Sequence, residues 1–219
     1  MPDACSSLKS KIRVVCEACE QVVTCDKLVQ VLQKVLAVGN AMNEGTFKGA
    51  ATGFTLDSLL KVMMTKGKDK VTTVLDAVAR MLGSQGKGEL FDFPSELSSI
   101  AEASRIQKAQ LVGELTFISA SKRRVETERD ALRKEGDAGQ SPGTLQMVEK
   151  LAEDATSQLQ LMKEGMARVD QKSSQLAAYF GEPADTPPEK VFDVMLQFTR
   201  ACNRAHEKFC RMQKRQQQS

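Results

Sequence analysis

VGNAMNEGTFKGAATGFTLDSLLKVMMTKGKDKVTTVL, residues 38–75, is the stretch from which the rest of the chain is read. It opens at the C-terminal end of an apolar helical run and breaks at Gly39-Asn40. A loop carrying Gly45, Gly49 and Gly53 follows, apolar residues resume at Phe54, and a basic break comes at Lys66-Gly67-Lys68-Asp69-Lys70. The pattern predicts helix, glycine-permitted loop, short helix, basic turn, helix. Glycine serves where the backbone takes a positive φ or where another chain lies close against it.

Working outward, Leu8, Ile12, Val15, Cys19 and Val22 mark an amphipathic helix over residues 8–23. Asp26 is a candidate cap for the next helix, which presents Leu28, Val31, Leu32, Val35 and Leu36. Thr55 or Asp57 opens the short helix of Leu59, Leu60, Val62 and Met63. Asp69 is the candidate cap for a helix of Val71, Val74, Leu75, Val78 and Leu82 that stops at Gly83. After the loop Gly83–Gly88, a long helix is expected from about Ser95 to Glu135, with a seam through Leu97, Ala101, Ser104, Lys108, Leu111, Leu115, Ile118, Lys122, Val125, Arg129 and Leu132. A hairpin turn is expected at Gly136 to Gly143. Beyond it Leu145, Val148, Ala152, Ala155, Leu159, Met162, Met166, Val169, Ser173, Leu176 and Phe180 alternate 3-4 without a slip, the mark of coiled-coil-like packing. Each long helix would reach about 60 Å. A last helix starts at Pro188 and carries Val191, Met195, Phe198, Cys202, Ala205, Phe209 and Met212, with a frayed tail from Met212 to Ser219. The expected fold is all-α: a compact helical head over 1–94, a long antiparallel hairpin over 95–180 and a C-terminal helix with polar tail over 181–219.

Composition agrees. No Trp, one Tyr and ten Met suit helix-on-helix packing, and 219 residues suffice to bury a core. Thirty-one basic against 28 acidic residues leave a net charge of only +3, which argues against a dedicated nucleic-acid binder. No signal-peptide pattern or membrane-length apolar run is present, so the six cysteines read as reduced thiols in the cytosol. Cys16-x-x-Cys19 has no second pair, and the single histidine, His206, is far along the chain, so no zinc site is expected. Neither Gly45-x-x-Lys48-Gly49 nor Gly86-Lys87-Gly88 has the phosphate-loop pattern. No catalytic constellation and no cofactor are expected.

Gly39-Asn40-x-Met42-Asn43, Gly53-Phe54-x-Leu56-x-x-Leu59, Thr65-Lys66 and Asp69-Lys70-x-Thr72-Thr73-x-Leu75 resemble the signature of the formin homology-2 domain. Tyr179-Phe180-Gly181-Glu182 and the helix after it are similar to that domain's C-terminal end. The last of the first blocks is one residue shorter than the usual family form between its two lysines. The family domain is close to twice this length and is built from a lasso, a linker, a knob, a three-helix coiled coil and a post; this chain resembles the post and coiled-coil half. The resemblance implies an actin-assembling function in the cytoplasmic actin cytoskeleton: a head-to-tail dimer that nucleates filaments and stays on the barbed end as profilin–actin is added. It further implies that this half folds but nucleates poorly unaided. A monomer, or a dimer through an exposed groove or open seam, both remain open.

From local chemistry alone, Gly39–Asn43 reads as a helix C-cap with Gly39 or Asn40 in the left-handed region and Asn43 closing a turn. The resemblance instead makes Gly39, Asn40, Met42, Asn43, Gly53 and Phe54 a groove for the lasso of a second formin subunit. Lys61, Lys66, Lys68 and Lys70 read locally as solvated lysines; the resemblance makes them an actin contact, with Lys66 and Lys70 matching the family's two lysines. Lys122-Arg123-Arg124, Arg129, Arg133 and Lys134 alternate with acids at helix-neighbour spacing and read as a self-paired face. Lys208, Arg211, Lys214 and Arg215 suit a helix C-terminus, with a weak contact to an acidic filament or to anionic lipid as the second reading. The competing reading is a helical coiled-coil scaffold without actin activity.

Overall fold

A computed structural model describes residues 2–44, 50–67, 69–135 and 142–217. Lys68, the loop positions Gly45, Lys48 and Gly49, and most of the turn expected at 136–143 lie outside the described residues. The described residues form α1 (Pro2–Thr24), α2 (Asp26–Met42), α3 (Leu56–Met64), α4 (Val74–Ser84), α5 (Phe93–Glu96), α6 (Ile100–Ala103), α7 (Lys108–Glu135), α8 (Pro142–Tyr179) and α9 (Pro188–Gln217), with a 3-10 turn at Gly88–Asp92. The fold is all-α. Among the described residues the only β-type pairing is one isolated bridge between Lys66 and Thr73.

α7 and α8 pack on each other, and α1 lies along both, so the hairpin is part of a three-helix bundle. Every predicted seam residue of α8 from Ala152 to Phe180 is buried, as the unbroken 3-4 alternation requires. Lys11 of α1 pairs with Glu114 of α7, and Lys172 of α8 with Glu20 of α1 at 3.0 Å. α9 crosses to the other elements, packing on α3, α4, α6 and α8. Its Phe192, Phe198 and Cys202 are fully buried, and the Phe198 ring sits 6.2 Å from that of Phe93.

Four expectations need correction here, and a fifth, the break of α2 at Gly39-Asn40, is corrected below. The first long helix starts at Lys108, not Ser95: α5, α6 and tight turns precede it. Leu97, Ile100, Ala103 and Ile106 are buried at every third position. A continuous α-helix would rotate such a set off one face, whereas short turns keep it inward. Gln21 of α1 pins the break, its side-chain carbonyl accepting the Ser99 N–H at 3.0 Å. α7 therefore spans about 42 Å against about 57 Å for α8, rather than two equal arms. Second, Cys25, not Asp26, caps α2, its Sγ accepting the Leu28 N–H at 3.4 Å. Third, α4 starts at Val74 and not at Asp69, for a reason given with the lysine turn below. Fourth, the last helix does not fray at Met212 but runs to Gln217, since its Lys, Arg and Gln residues are good helix formers and nothing interrupts them.

The basic stretch on α7 is self-paired only in part: Lys122 with Glu126 at 2.5 Å and Arg129 with Asp130 at 2.8 Å, whereas Arg133 pairs across the hairpin with Glu149 at 2.6 Å, and Arg123, Arg124 and Lys134 are exposed. No helix among the described residues is long and apolar enough to cross a membrane.

Candidate partner groove and lysine turn

α2 does not break at Gly39-Asn40. It continues to Met42, neither residue takes a positive φ, and Asn43 closes the end by donating its N–H to Gly39 O (3.2 Å) and Asn40 O (3.1 Å). Asn40 has a different task. Its side-chain amide donates to Ala51 O at 2.8 Å, and its carbonyl accepts the Ala51 N–H at 3.1 Å. This two-point pairing lays residues 50–54 beside α2 as a neighbouring strand would.

The chain then enters α3 through a capping box. Thr55 Oγ1 accepts the Ser58 N–H at 3.3 Å while Ser58 Oγ accepts the Thr55 N–H at 2.8 Å. The next orphan donor, Leu56 N–H, reaches Glu182 Oε1 at 3.0 Å. Glu182 is placed there by Gly181, whose φ of 64° turns the chain at the end of α8. The Tyr179-Phe180-Gly181-Glu182 motif thus closes one helix and caps another 126 positions away in sequence.

Two concavities result. One, of about 180 Å³, is mostly apolar and is lined by Val29, Leu32, Gln33 and Leu36 of α2 together with Thr52, Gly53, Phe54, Tyr179 and Phe180. The other, of about 360 Å³ and further along α2, brings Gly39, Met42 and Asn43 together with Val62, Thr65 and Lys66. Of the predicted groove residues, Asn40 alone lines neither, its amide being spent on Ala51. Tyr179, Phe180 and Glu182 were not predicted as groove builders; their motif is visible in the sequence, but its link to α3 is not.

The lysine turn is a tight bracket between α3 and α4. Gly67 N–H donates to Thr72 O at 2.8 Å, and Val74 N–H to Thr65 O at 3.2 Å. Inside it Asp69 Oδ1 accepts the N–H groups of Val71 (3.0 Å) and Thr72 (2.9 Å), and Oδ2 accepts the Thr72 hydroxyl. With its carboxylate committed to its own turn, Asp69 cannot cap α4. Thr73 does so instead, its Oγ1 accepting the Asp76 N–H at 3.1 Å while Asp76 Oδ2 accepts the Thr73 N–H at 2.9 Å. Val71 is consequently left off the helix and is 68% exposed. Lys70 is held at φ 56°, and Lys61, Lys66 and Lys70 are all exposed.

Hydrogen bonds from the Thr72 hydroxyl and the Thr72 and Val71 N–H groups hold the Asp69 carboxyl down to about 2, from an ordinary 3.8. Burial alone would raise Asp76, yet the Lys208 ammonium at 2.9 Å and the Thr73 N–H and hydroxyl hold it below its ordinary value. A carboxyl depressed in the folded state contributes stability above its unfolded value and loses it as pH falls through the folded one. Thermal stability should therefore be insensitive to these two groups above about pH 5 and decline between about pH 4 and 2. Asp69→Asn with Asp76→Asn should flatten that decline in a pH series of melting curves.

Among the described residues no group of three His, Cys, Asp or Glu side chains could hold one metal ion. Burial pushes the thiol of Cys19 up to about 12, and burial also raises that of Cys16.

Over residues 2–203 the chain matches the family model described as Formin Homology 2 Domain. The chain belongs to the formin homology-2 family. It is 31% identical over 211 residues to Formin-like protein 6 of Oryza sativa subsp. japonica, a match covering 96% of this chain and 15% of that protein. It is 34% identical over 203 residues to Formin-like protein 13 of Arabidopsis thaliana, covering 92% of this chain and 16% of that one. With Formin-like protein 20 of the same plant it shares 32% over 203 residues, covering 92% and 12%. This formin homology-2 chain thus spans less than a fifth of the length of these relatives.

Proposed function

We propose that this chain is an actin-binding, non-enzymatic part of a formin homology-2 domain working in the cytoplasmic actin cytoskeleton, with a groove for a second subunit and a lysine turn for actin. The three-part division of head, hairpin and C-terminal helix belongs to the same reading. So does the intact family's activity: nucleation, capping of the growing barbed end, and indirect use of profilin–actin. The work is positioning of protein subunits, with no covalent step.

The observation that carries the proposal is the pair Gly39 and Gly53. Neither takes a positive φ, and a Cβ added at either would meet no atom within 4 Å. Gly39 moreover sits inside α2, where glycine costs about 1 kcal/mol relative to alanine. The fold of this chain has no use for glycine at these two places, yet each lines one of the two concavities. Glycine there leaves room for a backbone from outside. Lys61, Lys66 and Lys70 are exposed, and Lys66 shares the concavity of Gly39.

Co-sedimentation with actin filaments tests the actin half of the reading: saturable, salt-sensitive pelleting is expected, and a chain that stays in the supernatant at low salt favours the scaffold reading. Gly39→Ala tests the groove. It should raise thermal stability by about 1 kcal/mol while weakening dimer formation by the chain extended at its N-terminus to carry a lasso. An alanine variant that is both more stable and equally dimeric removes Gly39 from the interface.

A further inference from the structure

A second surface lies where α4 meets the last turns of α9; it takes Val71 and Thr72 from the lysine turn but none of its lysines and none of the lasso-groove residues. Val71, Thr72, Asp76 and Arg80 on one side and Ala205, Lys208, Phe209 and Met212 on the other line a groove of about 200 Å³. A further hollow of about 450 Å³ continues along Arg80, Met81, Phe209 and Met212. Its floor is apolar and partly open: Val71 is 68% and Met212 42% exposed.

Lys208 in the groove belongs to a basic stripe of α9. Arg200, Arg204, Lys208, Arg211 and Arg215 follow at spacings of 4, 4, 3 and 4, which places them on one stripe of α9, and all are exposed. From Arg200 to Gln217 there are six basic residues and a single acid, Glu207, so this segment alone exceeds the whole chain's net charge of +3. Glu207 pairs with Arg211 at 3.0 Å and Asp76 with Lys208 at 2.9 Å, so among the described residues Arg200 and Arg204 carry the stripe's uncompensated charge. On the opposite rim the Arg80 guanidinium donates to the Thr72 hydroxyl at 3.1 Å, and its charge also acts on the Asp69 carboxylate.

We infer that this groove binds an acidic protein segment, with one apolar side chain seated between Val71 and Met212 and its carboxylates on Arg80 and on Arg200 and Arg204 of α9. The rims satisfy carboxylates by charge, and their arginines can do so in bidentate fashion. The concave floor suits a protruding segment better than a flat bilayer. Because Val71 follows Lys70 directly, the groove continues the lysine turn as one interface. The inference rests on the proposed function only for the partner's identity, an actin filament, whose acidic surface suits both patches.

The test is co-sedimentation of the full chain with actin filaments at about 50 and about 300 mM salt, comparing wild type with Arg80→Glu/Arg204→Glu and with Val71→Ser/Met212→Ser. None of these side chains is buried, and unchanged far-UV circular dichroism and melting confirm folding. The charge reversal should weaken binding about tenfold at low salt and much less at high salt. The apolar pair should weaken it several-fold at both. If wild type binds and both variants bind equally well, the groove inference falls while the lysine-turn reading stands. If wild type does not pellet, both fall. Vesicles of about 30 mol % phosphatidylserine in phosphatidylcholine serve as the second arm: charge reversal that abolishes vesicle binding but leaves filament binding intact assigns the surface to membranes and overturns the inference.

Discussion

Lys66→Glu/Lys70→Glu should cut affinity for actin filaments about 30-fold at low salt, roughly 2 kcal/mol. Each reversal removes an attraction and adds a repulsion, and an exposed pair contributes up to about 1 kcal/mol. The substitution should leave the fold intact. Both side chains are exposed, and the turn is held by Asp69, Gly67 and Thr72, not by either lysine side chain. The loss should shrink as salt rises, because the interaction lies at a hydrated surface. A neutral control, Lys66→Gln/Lys70→Gln, should fall between. Equal affinity for all three proteins would separate the lysine turn from actin. A loss independent of salt would mean that the change acts through the fold.

Phe198→Ala should be the most damaging substitution for stability, at about 3–5 kcal/mol. Its ring is fully buried midway along α9, faces Phe93, and lies where α9 crosses the short helices. Global stabilities run about 5–15 kcal/mol, so this one cavity removes a large share. A melting temperature lower by roughly 10 °C is expected for a domain of this size. Val148→Ala, at a half-buried place near the far end of the hairpin, should cost much less. If both cost the same, α9 does not organise the head as its packing indicates. Phe198 lies in neither candidate interface, so near the melting midpoint actin binding should fall with the folded fraction and otherwise stay unchanged.

What could be read from sequence divides along a physical line. The α8 seam was legible because burial there follows one period from Ala152 to the end of the helix, and Leu111, Ile118 and Val125 on α7 follow the same logic. The start of α7 was not legible. Residues 97 to 106 are buried at every third position, and extending the seam upstream through Ala101 and Ser104 hid the change of period; Ala101 is exposed. The caps went astray by competition. Asp26 and Asp69 are good capping residues in isolation, but Cys25 stands one place earlier in the right geometry, and Asp69 is consumed by Val71 and Thr72.

The candidate site shows the same split. Each block of residues is conspicuous alone, and the grouping of Gly39, Met42 and Asn43 follows from helical spacing. That Lys66 joins them, and that Tyr179 and Phe180 line a concavity with Gly53 and Phe54, depends on two long-range ties, Asn40 to Ala51 and Leu56 to Glu182. No local pattern encodes those. The glycines gained meaning only from the structure, which shows that the chain itself asks nothing of Gly39 or Gly53 that alanine could not supply.

Zero-length carbodiimide coupling of the chain to actin filaments, with the joined peptides identified by mass spectrometry, tests the central claim most directly, because it links lysines only to carboxylates they touch. The account predicts actin carboxylates joined to Lys66 or Lys70, with the yield falling as salt rises. Adducts that form readily but map only to other lysines, such as Lys150 or Lys163 on α8, would contradict it.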